Sequence, residues 1–231
     1  MNIIGTSKQN DDPWTLRDAW IGTGMLVILL LASLSLRWFR PQFQVTFVAT
    51  GIGQILMVAV VWALLKINGG GWGALGIKRF AGRDVGLGLV ILAFIIIAIH
   101  NTILFLIGIE TQGIEIYRLV QELASPWGLA FLFVFTAPFV EELFFRGFLF
   151  TSFRQHFSWQ TAAVVSSSIF AVFHLQPVAL IPTFILGFVF SYLFLKTNSI
   201  WPGVLLHTLI NAFALCVLLL AIALSIEPAF P

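Results

Sequence analysis

Residues 127–146 read WGLAFLFVFTAPFVEELFFR. Fourteen residues, Trp127 to Val140, carry no charge, and directly behind them stand Glu141, Glu142 and Arg146. An acid or a guanidinium at mid-bilayer costs about 2.5–3.5 kcal/mol on insertion scales, and such groups usually face a bundle interior or a water-filled cavity. The stretch therefore settles two expectations together. It belongs to a membrane-embedded helix, and that helix carries ionisable groups inward to a functional site.

Outward from it the chain keeps the same character. Hydrophobic residues make up 59% and charged residues 10%, with a mean hydropathy of +1.00, whereas a soluble domain is about 25% charged. A span needs about 20 apolar residues to cross about 30 Å of hydrocarbon, so the expected fold is all-α, a polytopic transmembrane helix bundle of about seven to eight spans. Apolar runs fall at 19–36, 43–65, 85–109, 127–150, 160–175, 178–195 and 200–224. The breaks between them carry turn chemistry: Arg40-Pro41, the glycine cluster from Gly69 to Gly73, Ser125-Pro126, Gln176-Pro177, and Thr197-Asn198-Ser199 before Pro202. Residues 1–18 read as a polar N-terminal tail without a cleavable signal, and 19–231 as a single transmembrane helical domain.

Charge supplies sidedness and exclusions. The net charge of +2 and the scattered Lys and Arg residues form no dense basic patch, so nucleic acid is not an expected partner. The single cysteine, Cys216, excludes an intrachain disulfide and reads as packing. Lys8, Arg17, Lys66, Lys78, Arg79, Arg83, Arg154 and Lys196 fall on the N-terminal side of a seven-span layout, against Arg37, Arg40 and Arg118 on the other. That bias predicts a multi-pass protein of the cell membrane with a cytoplasmic N-terminus. The segment 66–84 mixes Lys78, Arg79 and Arg83 with Trp72, Leu75, Ile77 and Phe80, which suits a loop on the membrane interface. The segment 110–124 is more acidic, with Glu110, Glu115 and Glu122 around Arg118.

Three groups of polar residues interrupt the apolar helices. Glu142 and Arg146 are four apart and share a helix face, while Glu141 lies about 100° around and points elsewhere. Phe170 and His174 form a second i, i+4 pair, and His207 and Asn211 a third. If the fourth and fifth spans form an antiparallel hairpin turning near Phe157, Glu141 and His174 each lie about 25 Å of helix from the turn and reach the same depth. Each residue also has a plainer reading. Glu142 and Arg146 suit a structural ion pair, and His174, His207 and Asn211 suit interhelical hydrogen bonds. His100 and Asn101 have no partner motif and read as packing, and His156, beside Arg154 and Gln155, reads as solvated.

The ordered set Glu-Glu-x-x-x-Arg, Phe-x-x-x-His, His-x-x-x-Asn resembles the CPBP intramembrane protease family, also called the CAAX protease and bacteriocin-processing or Abi family. The resemblance covers about residues 125–215, including the Phe-Arg-Gly-Phe-Leu continuation after the first motif and Trp201-Pro202 before the last. It implies an intramembrane endopeptidase that cleaves a membrane-associated or lipidated protein or peptide. In that implied mechanism Glu141 is the general base for a water also held by His174. His207 and Asn211 donate to the oxyanion, and Glu142, fixed by Arg146, orients the site. No cofactor is expected. The same residues also allow Glu141, His174 and His207 as zinc ligands, though the chain lacks His-Glu-x-x-His. A non-catalytic peptide-binding or immunity protein would use the same pocket without cleavage.

Overall fold

The computed structural model describes residues 13–39, 43–81, 86–106 and 126–224. The acidic segment 110–124, the tail through Asp12, the Arg40-Pro41 break, Arg83 and the side chain of Asn101 lie outside the described residues. Every regular element among the described residues is helical. Helix α1 spans Leu16–Phe39, α2 Phe43–Ile67 and α3 Leu87–Leu106. A long broken helix, α4, runs unbroken in register of chain but not of winding: Pro126–Ala130 is α, Phe131–Thr136 π, Ala137–Glu142 α, Leu143–Phe150 π and Thr151–Arg154 α. Helix α5 spans Trp159–Phe173, α6 Leu180–Thr197 and α7 Trp201–Ala223.

The all-α membrane bundle agrees with the composition. Among the described residues four helices are long and apolar enough to cross a bilayer, over Leu16–Leu36, Val48–Ile67, Pro177–Thr197 and Trp201–Leu220, with shorter apolar helices at Ile91–His100 and Trp159–Phe173. Their outer faces hold exposed Ile28, Leu31, Ile55 and Leu209, the arrangement expected where lipid is the solvent. Cys216 is exposed on α7, which corrects its reading as packing.

The core is built around α4. Phe144, Phe145, Phe148, Phe150 and Phe153 are fully buried, and Phe145, Phe148 and Phe153 meet Phe170, Trp14 and Trp20 edge to face. Such pairs contribute about 0.5–1.5 kcal/mol each beyond area burial. The hairpin between α4 and α5 turns at residues 155–158, where Ser158 caps α5 by accepting a hydrogen bond from Thr161 N and His156 is exposed. The 69–78 segment is less peripheral than its composition suggests. Its 3₁₀ turn Trp72–Leu75 buries Leu75 completely, against Gly147, where an added Cβ would lie 2.5 Å from Leu75 O. Ile200 N donates to Gly76 O at 3.0 Å, so this segment is a wedge between α4 and the start of α7.

Candidate active site

Three elements bring the predicted residues together. The short α turn Ala137–Glu142 carries the two glutamates between two π-wound stretches. Winding of that kind widens a helix locally and recurs at functional sites. Arg146 Nη1 donates to Glu142 Oε1 at 2.9 Å, the expected i, i+4 pair, with side chains 0% and 1% exposed. What the spacing could not show is the rest of the guanidinium's surroundings. Nη2 donates to Gly187 O of α6 at 3.0 Å, and the group lies over Phe170 at 4.3 Å and Phe190 at 5.1 Å. A charge pair this deep is tolerable only with such additional partners.

Glu141 points away from that pair, as the 100° offset requires. Its Oε2 lies 3.9 Å from His174 Nε2 and 3.9 Å from His207 Nε2, and is buried without a hydrogen-bond partner among the described residues. The hairpin thus delivers Glu141 and His174 to one place. His174 sits at the end of α5, as its C-cap. Its Nδ1 is 2.7 Å from Phe170 O; a carbonyl only accepts, so Nδ1 carries the proton and Nε2 presents a lone pair in the neutral ring. Leu175 follows with φ 54°, a left-handed conformation that ends the helix and aims the imidazole inward.

His207 lies between the carboxylates, with Nδ1 3.6 Å from Glu142 Oε1 and its ring stacked on Phe190 at 5.2 Å. Gly203, one turn earlier, permits this approach: a Cβ there would lie 2.5 Å from Glu142 Oε2. Asn211, one turn later, has Nδ2 2.8 Å from Phe133 O on α4. His100 is half-buried on α3 and enters none of these contacts. The positions that motif spacing missed are Gly187, Gly203 and Phe190, which bear no ionisable group and lie far along the chain from the residues they serve.

The arrangement offers a carboxylate and a ring nitrogen, both acceptors, facing each other at 3.9 Å. Two hydrogen bonds of about 2.8 Å meeting near a right angle span that distance, so one water can donate to both. A tetrahedral zinc ion fits less well. Bonds of about 2.0–2.1 Å would draw its ligand atoms to about 3.3 Å from one another, and no group of three His, Cys, Asp or Glu side chains among the described residues is spaced to hold a metal.

The bundle thus brings the buried Glu142 and Arg146, the partly buried Glu141 and two histidines from separate helices to one place. Residues 123–213 match the family model described as type II CAAX prenyl endopeptidase Rce1-like. The chain is also 30% identical over 76 residues to the protein named "Putative membrane peptidase YdiL" of Bacillus subtilis (strain 168), covering 33% of this chain and 31% of that protein. The segment that holds all three motifs is thus similar to the CAAX-type protease family. The match spans about a third of the length of that relative. No solved structure matches the chain.

Proposed function

We propose that the protein is an intramembrane endopeptidase that hydrolyses a peptide bond of a membrane-associated or lipidated protein or peptide, using water activated by Glu141. The observation that carries this reading is the position of Glu141 Oε2, buried and 3.9 Å from both imidazole Nε2 atoms. A water donating to Glu141 and to His174 Nε2 loses one proton to the carboxylate as its oxygen attacks the scissile carbonyl carbon. The C=O electron pair moves to oxygen, and His207 donates to that oxyanion from Nε2–H. Donors of this kind contribute about 2.7–4 kcal/mol in other hydrolases. Collapse of the tetrahedral intermediate breaks the C–N bond, and Glu141 returns its proton to the leaving amine.

Glu142 and Arg146 act as a fixed frame, since the guanidinium holds one carboxylate oxygen while the imidazole approaches it from the other side. A lateral groove of about 560 Å³ lies between α2 and α4, lined by Gly51, Ile55 and Trp62 on one side and Phe131 and Val140 on the other.

The test is cleavage of fluorogenic peptides, prenylated and plain, by purified protein in detergent, with Glu141→Gln as comparison and thermal unfolding to check that both fold. Cleavage by the unaltered protein in chelator, lost by at least about a thousandfold in the variant, is the expected result. Equal cleavage by both would remove Glu141 from the role of base. Loss in chelator restored by zinc would favour the metal reading, and partner capture without product by either protein would favour a binder.

A further inference from the structure

Helix α4 loses a hydrogen bond one turn before the glutamate pair, and the loss is written in the sequence. In the π-wound stretch Phe131–Thr136, Ala137 N–H goes back five residues to Leu132 O, so it is not given to Phe133 O four residues back. In the same winding the next donor, owed to Phe133 O, is the amide of residue 138. That residue is Pro138, which has no N–H. Both helical registers therefore leave the Phe133 carbonyl without its ladder partner. Thr136 Oγ1 serves the two preceding carbonyls, Phe131 O and Leu132 O, each at 2.9 Å. Phe133 O is served from another helix, by Asn211 Nδ2 at 2.8 Å across 78 positions of sequence.

Asn211 lies on the same face of α7 as His207 and Gly203, at spacings of four. The three positions meet α4 in turn: Gly203 against Glu142, His207 against Glu141 and Glu142, Asn211 against Phe133. We propose that Asn211 is a positioning residue for Glu141: by replacing the hydrogen bond that Pro138 removes, it clamps the broken turn of α4 to the helix that carries His207. Its Nδ2 is bonded to backbone, and we read this contact in place of the oxyanion contact that the resemblance implies, so its influence reaches the reacting atoms through the placement of the 137–142 turn. The clamp follows from the geometry alone, whereas its bearing on catalysis rests on the proteolytic reading above.

The test pairs Asn211→Leu, close in shape but without a donor, with Pro138→Ala, which returns an amide to position 138. Hydrogen–deuterium exchange in detergent reads the clamp whether or not any substrate is found. In Asn211→Leu, exchange in peptides covering 137–150 is expected to quicken about tenfold, the effect of losing one buried hydrogen bond, with peptides of α1 and α2 unchanged. Adding Pro138→Ala returns exchange toward that of the unaltered protein. Where cleavage is measurable, kcat falls about tenfold in Asn211→Leu with KM unchanged, and recovers in the double variant. Unchanged exchange over 137–150 in folded Asn211→Leu overturns the proposal, as does faster exchange that Pro138→Ala leaves in place. If Asn211→Leu alone does not fold, folding of the double variant supports the clamp and its failure to fold overturns it.

Discussion

At Gly203 the absence of a side chain controls the distance between two helices. An added methyl would meet Glu142 Oε2 at 2.5 Å, and the carboxylate has little room to retreat because its other oxygen is held by Arg146 at 2.9 Å. Overpacking of a filled interior costs about 1–3 kcal/mol. Gly203→Ala should lower the thermal stability of the purified protein by that amount and depress peptide cleavage with it. Glu142→Asp in the same chain withdraws the carboxylate by one methylene and should recover part of the melting shift; strictly additive losses would mean that the alanine acts elsewhere. The Glu142–Arg146 pair was legible in the sequence because i, i+4 neighbours on a helix meet wherever the helix goes. Gly203 was not, since its importance lies in how closely α7 crosses α4, a quantity that local spacing does not encode.

Among the elements, the α4–α5 hairpin was readable from its polar turn and from the equal arm lengths to Glu141 and His174. The π winding on either side of the glutamates was not, because Phe-Leu-Phe-Val-Phe and Leu-Phe-Phe-Arg-Gly-Phe-Leu-Phe are compatible with an ordinary α-helix; only Pro138 marks a break. The end of α5 falls where the apolar run and the Gln176-Pro177 break place it. The apolar run ending at 175 places His174 one turn after Phe170 near the end of a span, and the helix stops there with Leu175 in the left-handed region, φ 54°. A non-glycine residue in that conformation costs about 1–2 kcal/mol, and glycine adopts it without a steric penalty. Leu175→Gly is therefore expected to raise the unfolding midpoint or leave it unchanged once glycine's greater unfolded-state freedom is counted. Leu175→Val, whose branched Cβ is less tolerant of positive φ, should lower it. A clear loss in Leu175→Gly would show that the leucine side chain matters more than the strain.

Across the whole molecule, tertiary contacts gather the basic turns at one end of the bundle. Asn68 Nδ2 donates to Asp18 at 2.9 Å, and Trp14 Nε1 reaches Ala74 O at 3.5 Å. Ser199 Oγ donates to Lys78 O at 2.7 Å, while Trp20 packs on Phe153 with ring centroids 5.8 Å apart. These links hold the segments bearing Arg17, Lys66, Lys78, Arg154 and Lys196 on the same side, the grouping that the seven-span layout anticipated. Span number was less legible than side, because α4 changes winding along its length and length and composition alone mark four clear spans. On the positive-inside bias the gathered end is expected to face the cytoplasm. Single cysteines at exposed Gly71 and His156, introduced with Cys216→Ser, test this with a membrane-impermeant maleimide. Both are expected to react only after the cells are permeabilised. Reaction of both in intact cells would reverse the orientation while keeping the fold, whereas opposite behaviour at the two positions would separate turns that the Asp18, Lys78 and Phe153 contacts require to stay together.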